Sequence, residues 1–368
     1  MIHDLDKIWI INFWQMTGKL TDNQLGINIK NVSKSIKRPT IFDVAKLAGV
    51  SISSVSRVLN NSTRVTENMR ERVLDAISKL KYQPSAIAQG LVTKSIKSIG
   101  LIITDINNPF FTELIHGAEN KTSEHGYNLL FCNTDENVEK EANYIRVLSN
   151  NLVAGFIISA TRMSDENIFE LKKSNVPFVL INRYLDGIDT PCVRTNFKSG
   201  MNKAFSHLVE AGHRKILLLN GPIASQASRL REEGYINSMA SFGLVYNPDL
   251  NRSCQPTKDG GFVAINEVID QGIEFTAAIV YNDLMAVGVL DALRFHKLRV
   301  PRDIAIVSFD DTILAKHSYP PLTSVRQDSE LLGRLSAELL LDIIEGKELE
   351  ARDIVLNPEL IVRESSSN

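Results

Sequence analysis

Small hydroxyl side chains and one guanidinium crowd into seven positions: Ser51, Ser53, Ser54, Ser56 and Arg57. Serine hydroxyls bond base edges or phosphate oxygens, and a guanidinium reads guanine through paired hydrogen bonds. The lack of bulk lets the backbone that carries them sit deep in a major groove. The competing reading is a solvated polar face on a plain helical bundle, and charge disfavours it. Residues 1–98 carry 15 Lys and Arg against 7 Asp and Glu, a net of +8; the remainder carries 26 against 36, a net of −10. A cationic head on an acidic body is the asymmetry of a nucleic-acid-binding module joined to something else.

Catalytic and metal chemistry find little support. His3, His116, His125, His207, His213, His296 and His317 show no ligand spacing, and each reads as a surface or helix-end residue. Cys132, Cys192 and Cys254 contain no C-x-x-C pair, which excludes a disulfide framework or a cysteine-based zinc site. Walker A, nucleotide GxGxxG, HExxH and GxSxG motifs are absent,. The expectation is a protein that is not an enzyme and takes no cofactor or metal. Apolar runs reach about five or six residues, against about 20 for a membrane span. A cytoplasmic protein without a membrane partner is therefore expected.

The elements that must position the serines are helical. Thr40 stands as N-cap before a helix in which Ile41, Val44, Ala45 and Ala48 fall on one face, and Gly49 follows as its terminator,. Ser51 caps a second helix, Ile52 to Leu59, with Val55, Val58 and Leu59 inward. Asn60, Asn61 and Ser62 form a turn, and Thr66 with Glu67 opens a third helix. Pro84 starts a fourth, short one, Ser85 to Leu91,. Two helices joined by a short glycine-containing turn make a helix-turn-helix. After Thr93 the texture changes to apolar strands alternating with helices, enough for two parallel sheets over about 98–196 and 197–325,. Ligands in such sheets lie beyond the carboxyl ends of the strands. The first 38 residues, with Trp9 and Trp14, lack periodicity and read as a disordered arm without function.

The run from Thr40 to Ser51, then Val55-Ser56-Arg57-Val58-Leu59-Asn60, Arg70-Glu71-Arg72-Val73 and Tyr82-Gln83-Pro84, resembles the lactose-repressor/galactose-repressor family of bacterial transcription regulators. In the body the likeness is carried by Asn108-Pro109-Phe110-Phe111, Asn282-Asp283-Leu284-Met285-Ala286, Phe309-Asp310-Asp311 and Pro320 to Val325. It covers about residues 39 to 364. The resemblance implies an all-α helix-turn-helix head and an α/β core of two doubly wound parallel-sheet subdomains, like a periplasmic binding protein. It implies a homodimer on pseudo-palindromic double-stranded operator DNA. The expected division is a helix-turn-helix domain at 39–83, a hinge helix and linker at 84–97, and an effector-binding and dimerisation core at 98–368. Within that core the N-subdomain takes about 98–196 and 329–356, and the C-subdomain about 197–325 and 357–364.

The family pattern places DNA contacts at Ile52, Ser53, Ser56 and Arg57, with Asn60 and Arg64 on the backbone side; Thr40, Ser51 and Ser54 are also expected at the DNA. Ile52 can touch a thymine methyl but donates nothing. The hinge is implied to fold on the operator through Ser85, Ala88 and Gln89, with Leu91 as a minor-groove wedge. Seven residues make no stable helix alone, so its order can follow the spacing of two cores. Gly90 weakens it by up to about 1 kcal/mol relative to Ala.

Positions that match the family's ligand contacts are Thr104, Asp105, Asn182, Arg183, Arg231, Asn282 and Asp310, with Phe110 as a stacking wall. Such groups suit sugar hydroxyls. Thr195-Asn196 stands where many members carry Asp-Asn. With Arg183 and Arg194 near the same strand ends, a sugar acid or sugar phosphate becomes the second choice. No leucine heptad tail follows the last strand, Leu360 to Arg363, so a dimer is expected. The reading reached is a repressor of carbohydrate-utilisation genes controlled by a small sugar or sugar derivative. Its competitor is a cytoplasmic ligand-binding protein of the periplasmic-binding type without a DNA role.

Overall fold

The computed structural model describes residues 39–59, 64–82, 97–150, 152–159, 165–185 and 190–367. The chain divides into two compact units, a helical head and an α/β core.

The head holds α1 (Ile41–Ala48), α2 (Ile52–Leu59) and α3 (Glu67–Leu80). The Asp43 carboxylate reaches back to the Thr40 amide at 2.8 Å and accepts from its hydroxyl at 2.7 Å. This satisfies a donor that the helix start would otherwise leave bare. Gly49 ends α1 at φ +61, a conformation that suits a residue without Cβ. Val44, Ala45, Ala48, Val55, Val58, Val73 and Ala76 form the small core.

The core unit begins with β1 (Ser98–Ile103), α4 (Pro109–Glu124), β2 (Asn128–Asn133), α5 (Val138–Ser149), β3 (Gly155–Ser159), α6 (Asp165–Lys173), β4 (Phe178–Ile181) and β5 (Cys192–Thr195). The chain then crosses to α7 (Phe197–Glu210), β6 (Ile216–Asn220), α8 (Gln226–Ser241), β7 (Asn251–Ser253), α9 (Lys258–Asp270), β8 (Ala277–Val280), α10 (Asp283–Phe295), β9 (Ala305–Asp310), α11 (Ile313–His317) and β10 (Thr323–Arg326). It returns through α12 (Ser329–Ile344) and β11 (Asp353–Leu356), and crosses a third time to β12 (Glu359–Ile361).

The first sheet has the order β11-β5-β4-β3-β1-β2, and every pair in it is parallel. The second runs β12-β10-β9-β8-β6-β7, parallel except where β12 pairs antiparallel with β10. Apolar clusters cover both faces of each sheet, so the strands are apolar on both sides. Three crossings, at 195–197, 326–329 and 356–359, join the two halves.

Two helix pairs touch backbone to backbone. A Cβ on Gly333 of α12 would lie 2.1 Å from the Leu114 carbonyl oxygen of α4. One on Gly288 of α10 would lie 1.8 Å from the Lys258 carbonyl oxygen of α9. These helices lie on their sheets at a spacing that only glycine permits. No described helix is long and apolar enough to cross a membrane.

Candidate functional site

The head presents its polar residues outward. Ser51, Ile52, Ser53 and Arg57 are exposed, Ser54 and Ser56 half-buried, while Val55 and Val58 anchor α2 from below. The Ser51 hydroxyl lies 2.8 Å from that of Ser53 and 2.9 Å from that of Ser54, and accepts from the Ser54 amide at 3.2 Å. Ser51 therefore caps α2, and the hydroxyl cluster marks the helix N-terminus, where the backbone favours anions such as phosphate. Thr40, capping α1, and Arg64, ahead of α3, are exposed as well.

One positioning residue escaped the sequence reading. Arg72 of α3 donates to the Ala48 and Gly49 carbonyls at 2.5 and 3.1 Å. It pins the turn between α1 and α2, and with it the angle at which α2 is offered. The signal lay in Arg70-Glu71-Arg72, quoted for its likeness and not for its reach. Asn60, Ser85, Ala88, Gln89 and Leu91 lie outside the described residues.

In the core, seven of the eight residues expected at the effector site line one cavity between the two sheets: Thr104, Asp105, Phe110, Asn182, Arg231, Asn282 and Asp310. The eighth, Arg183, is not brought there. It is buried and ion-paired with Asp165 at the start of α6. The cavity volume is about 50 Å³, small against the roughly 300–1,000 Å³ of ligand pockets. Contacts from both halves close it. Asn108, N-cap of α4, approaches Asp310 at the end of β9 at 3.5 Å. Gln327, in the second crossing, donates to Asp310 at 2.6 Å.

Arg231 dominates the C-terminal half. It is 3% exposed, and its guanidinium lies 4.4, 4.2 and 4.4 Å from the ring centroids of Phe197, Tyr281 and Phe309. Three aromatic faces lock its orientation and supply cation–π attraction. Burial pulls the guanidinium below its ordinary pKa, opposed by Tyr281 and Asp310. Its Nε finds no protein partner, and neither does Gln327 Oε1. Buried polar atoms rarely stay unpaired; here one donor and one acceptor wait at the cavity.

Asp310 takes φ +105 and Asp311 φ +60. Their turn is held from below by Asp283, which accepts from Ser308, Ser324, and the Thr312 amide and hydroxyl at 2.5, 2.8, 2.7 and 2.9 Å. Asp311 in turn pairs with Arg326 at 2.8 Å and Arg363 at 2.5 Å. Burial pushes the carboxyls of both Asp283 and Asp310 upward, and Arg231 and Gln327 pull Asp310 partly back. Two expected ligand residues also carry structural duties: Asn282 caps α10 at Met285, 2.7 Å, and Asn182 accepts from the Thr195 amide at 2.8 Å. Asn108, Phe111, Glu136, Phe197, Ala227, Pro256, Tyr281 and Gln327 join the lining unannounced. Among the described residues no group of His, Cys, Asp or Glu is placed to hold a metal ion.

Known proteins fit this geometry. Residues 40–85 match the family described as bacterial regulatory proteins, lacI family, and residues 205–366 the periplasmic binding protein-like domain. The HTH-type transcriptional repressor PurR of Photobacterium profundum is 34% identical over 328 residues, 89% of this chain and 98% of that protein. PurR of Haemophilus influenzae is 35% identical over 333 residues with the same coverage. The lac repressor dimer bound to operator and the anti-inducer ONPF superposes with a TM-score of 0.77 at 29% identity, covering 90% of this chain and 99% of that one. The transcriptional regulator CelR in complex with cellobiose gives 0.69 at 32%, covering 89% and 100%. The chain thus belongs to the lacI family of bacterial regulatory proteins: a DNA-binding transcriptional regulator with a periplasmic-binding-protein-like effector domain, not an enzyme.

Proposed function

We propose that this chain is a repressor that binds a pseudo-palindromic operator as a homodimer and is gated by a neutral, hydroxyl-rich effector, a sugar or sugar derivative, in the cleft. The observation that carries the effector class is the pairing of Arg231 and Asp310, one buried donor and one buried acceptor on the same wall. That pair suits a ring bearing vicinal hydroxyls. Arg183 and Arg194, the cations that favoured an acidic ligand, are held by Asp165 and Asp353. Asp105, Glu136 and Asp310 also line the cavity, against Arg231 as its one cation among the described residues. An anion gains little there. Solved relatives fit the class: CelR is bound to cellobiose, and a LacI-family regulator of Enterococcus faecium, 29% identical with a TM-score of 0.66, holds ribose.

A flat heterocycle is the second reading, favoured by the walls of Phe110 and Tyr281. The head works through α2 in the major groove, with Arg57 reading a base and the serines bonding bases and phosphates. Effector shifts repression only through its affinity difference between the two core arrangements.

Titration calorimetry on the full chain tests the class, with cellobiose, ribose, glucose 6-phosphate and a purine base as probes. A neutral sugar is expected to bind. Arg231→Ala and Asp310→Asn are each expected to weaken the hit by at least about 100-fold, the loss for a charged hydrogen bond of about 1.5–3 kcal/mol plus an unpaired buried group. Arg231→Lys checks that charge without the fork does not suffice. Binding confined to the phosphate, or variants that bind normally, overturns the reading.

A further inference from the structure

The two halves of the core are also joined by a contact outside the cavity lining. Gln226, the first residue of α8, is 8% exposed. Its Oε1 accepts from the Tyr184 amide at 2.8 Å, and its Nε2 donates to the Tyr184 carbonyl at 3.2 Å. Tyr184 follows β4 of the first sheet, whereas α8 packs on the second. Both ends of one primary amide are therefore engaged by one residue of the opposite half, in the manner of paired strands.

Tyr184 is itself tied to the crossings. The Arg194 guanidinium lies 4.7 Å from its ring centroid. Arg194 forks onto Asp353 at 2.7 and 2.8 Å, and the Cys192 thiol also donates to Asp353 at 3.2 Å. Arg194 and Cys192 sit on β5, Asp353 on β11, and these strands pair directly. β5 runs straight into the first crossing and β11 into the third. The contact is thus fastened to the two strands that lead into the first and third crossings.

We infer that the Gln226 amide is a closure latch: it biases the cleft shut without touching the effector, and Tyr184, Arg194 and Asp353 relay its state to the crossing strands. The inference rests on reading the cleft as the effector site. Two neutral hydrogen bonds give a bias strong enough to shift populations and weak enough for a ligand to override. Gln226 acts through other residues and is a positioning residue.

Hydrogen exchange on the full-length, ligand-free protein tests it. Gln226→Met keeps length and bulk and removes both polar atoms. The Tyr184 amide, and the amides of 195–197, 356, 357 and 359, are expected to exchange about tenfold faster, the loss of two modest hydrogen bonds. The melting temperature is expected to fall by no more than a few degrees. Gln226→Glu keeps the acceptor for the Tyr184 amide but sets a carboxylate against the carbonyl, so the crossings should again exchange faster. It serves if the methionine variant misfolds. Faster exchange at Tyr184 alone reduces the contact to a local one and overturns the latch, as does no change anywhere. The sugar titration fails or succeeds separately: loss of sugar binding in Arg231→Ala beside unchanged exchange in Gln226→Met leaves the site standing and sinks the latch.

Discussion

The head and the cleft solve recognition in opposite ways. The head keeps the groups proposed to read DNA in water, where Ser51, Ser53 and Ser54 satisfy one another. The cleft buries its groups and leaves Arg231 Nε and Gln327 Oε1 without partners. An exposed polar surface demands little of the fold, so seven buried valines and alanines of α1, α2 and α3, flanked by half-buried Ile41, Leu59, Ile77, Leu80 and Tyr82, support it. A buried donor and acceptor demand much: three aromatic rings around Arg231, a left-handed turn at Asp310 and a carboxylate beneath it. The head's specificity can therefore change one side chain at a time. The cleft's specificity is bound up with its packing.

Arg57→Ala is the largest break to that contrast. A bidentate base contact is worth about 1–3 kcal/mol, and a dimer makes it twice, so affinity for a selected operator should fall on the order of 100-fold or more while the melting curve stays unchanged. Arg64→Ala should instead weaken all sequences alike and lower the salt slope by about 1 per head. Gel shifts on selected and random duplexes at several salt concentrations separate the two. Equal loss on both duplexes for Arg57→Ala removes it from base reading.

Next in size is Gly288→Ala, on the side where function and packing are joined. Its Cβ would overlap the Lys258 carbonyl oxygen, and overpacking costs about 1–3 kcal/mol. The transition of the core should drop by roughly 3–8 °C in calorimetry, while operator contacts assigned to α2 stay intact. A core that melts unchanged would show that α9 and α10 part more easily than their contact implies.

The same contrast explains what the sequence disclosed. The helix-turn-helix was legible because its signals are contiguous: Gly49 terminates, Ser51 caps, Val55 and Val58 repeat. The cleft residues run from Thr104 to Gln327 and meet only through two sheets. The resemblance located seven of them, and Arg183 looked equivalent to its neighbour Asn182. The left-handed backbone at Asn182, φ +55, turns the chain there, and Arg183 goes to Asp165 instead. Helix α8 was not singled out at all. It buries Gln226, Ala227, Ser228, Arg231, Gly234, Tyr235, Ser238 and Met239, so polar residues occupy its inward face and erase the apolar stripe on which helix reading depends.

A pH series sharpens the difference further. Burial, the largest cause, pushes Asp310 up to about 6. A carboxyl raised on folding holds its proton more tightly in the folded chain. Its contribution to ligand-free stability is fully present below the ordinary carboxylate range and lost as pH rises through about 6. Effector hydroxyls, in contrast, donate to the ionised form, so affinity should fall as pH drops below about 6, by up to about tenfold per unit. Melting and calorimetry across pH 5–8 should therefore move in opposite directions. Parallel trends would remove Asp310 as the acceptor.

The smallest effect belongs to the head's own scaffold. Asp43→Ala removes the carboxylate that bonds both the Thr40 amide and hydroxyl, at a cost of about 1 kcal/mol typical of a cap. In a unit with so small a core that is a large share of the total, yet no reading group is touched. The head's melting midpoint should fall while operator binding, measured well below it, keeps its sequence preference. If preference is lost along with stability, α1 sets the angle of α2 through more than the Arg72 pin, and the head is as bound up with its packing as the cleft is.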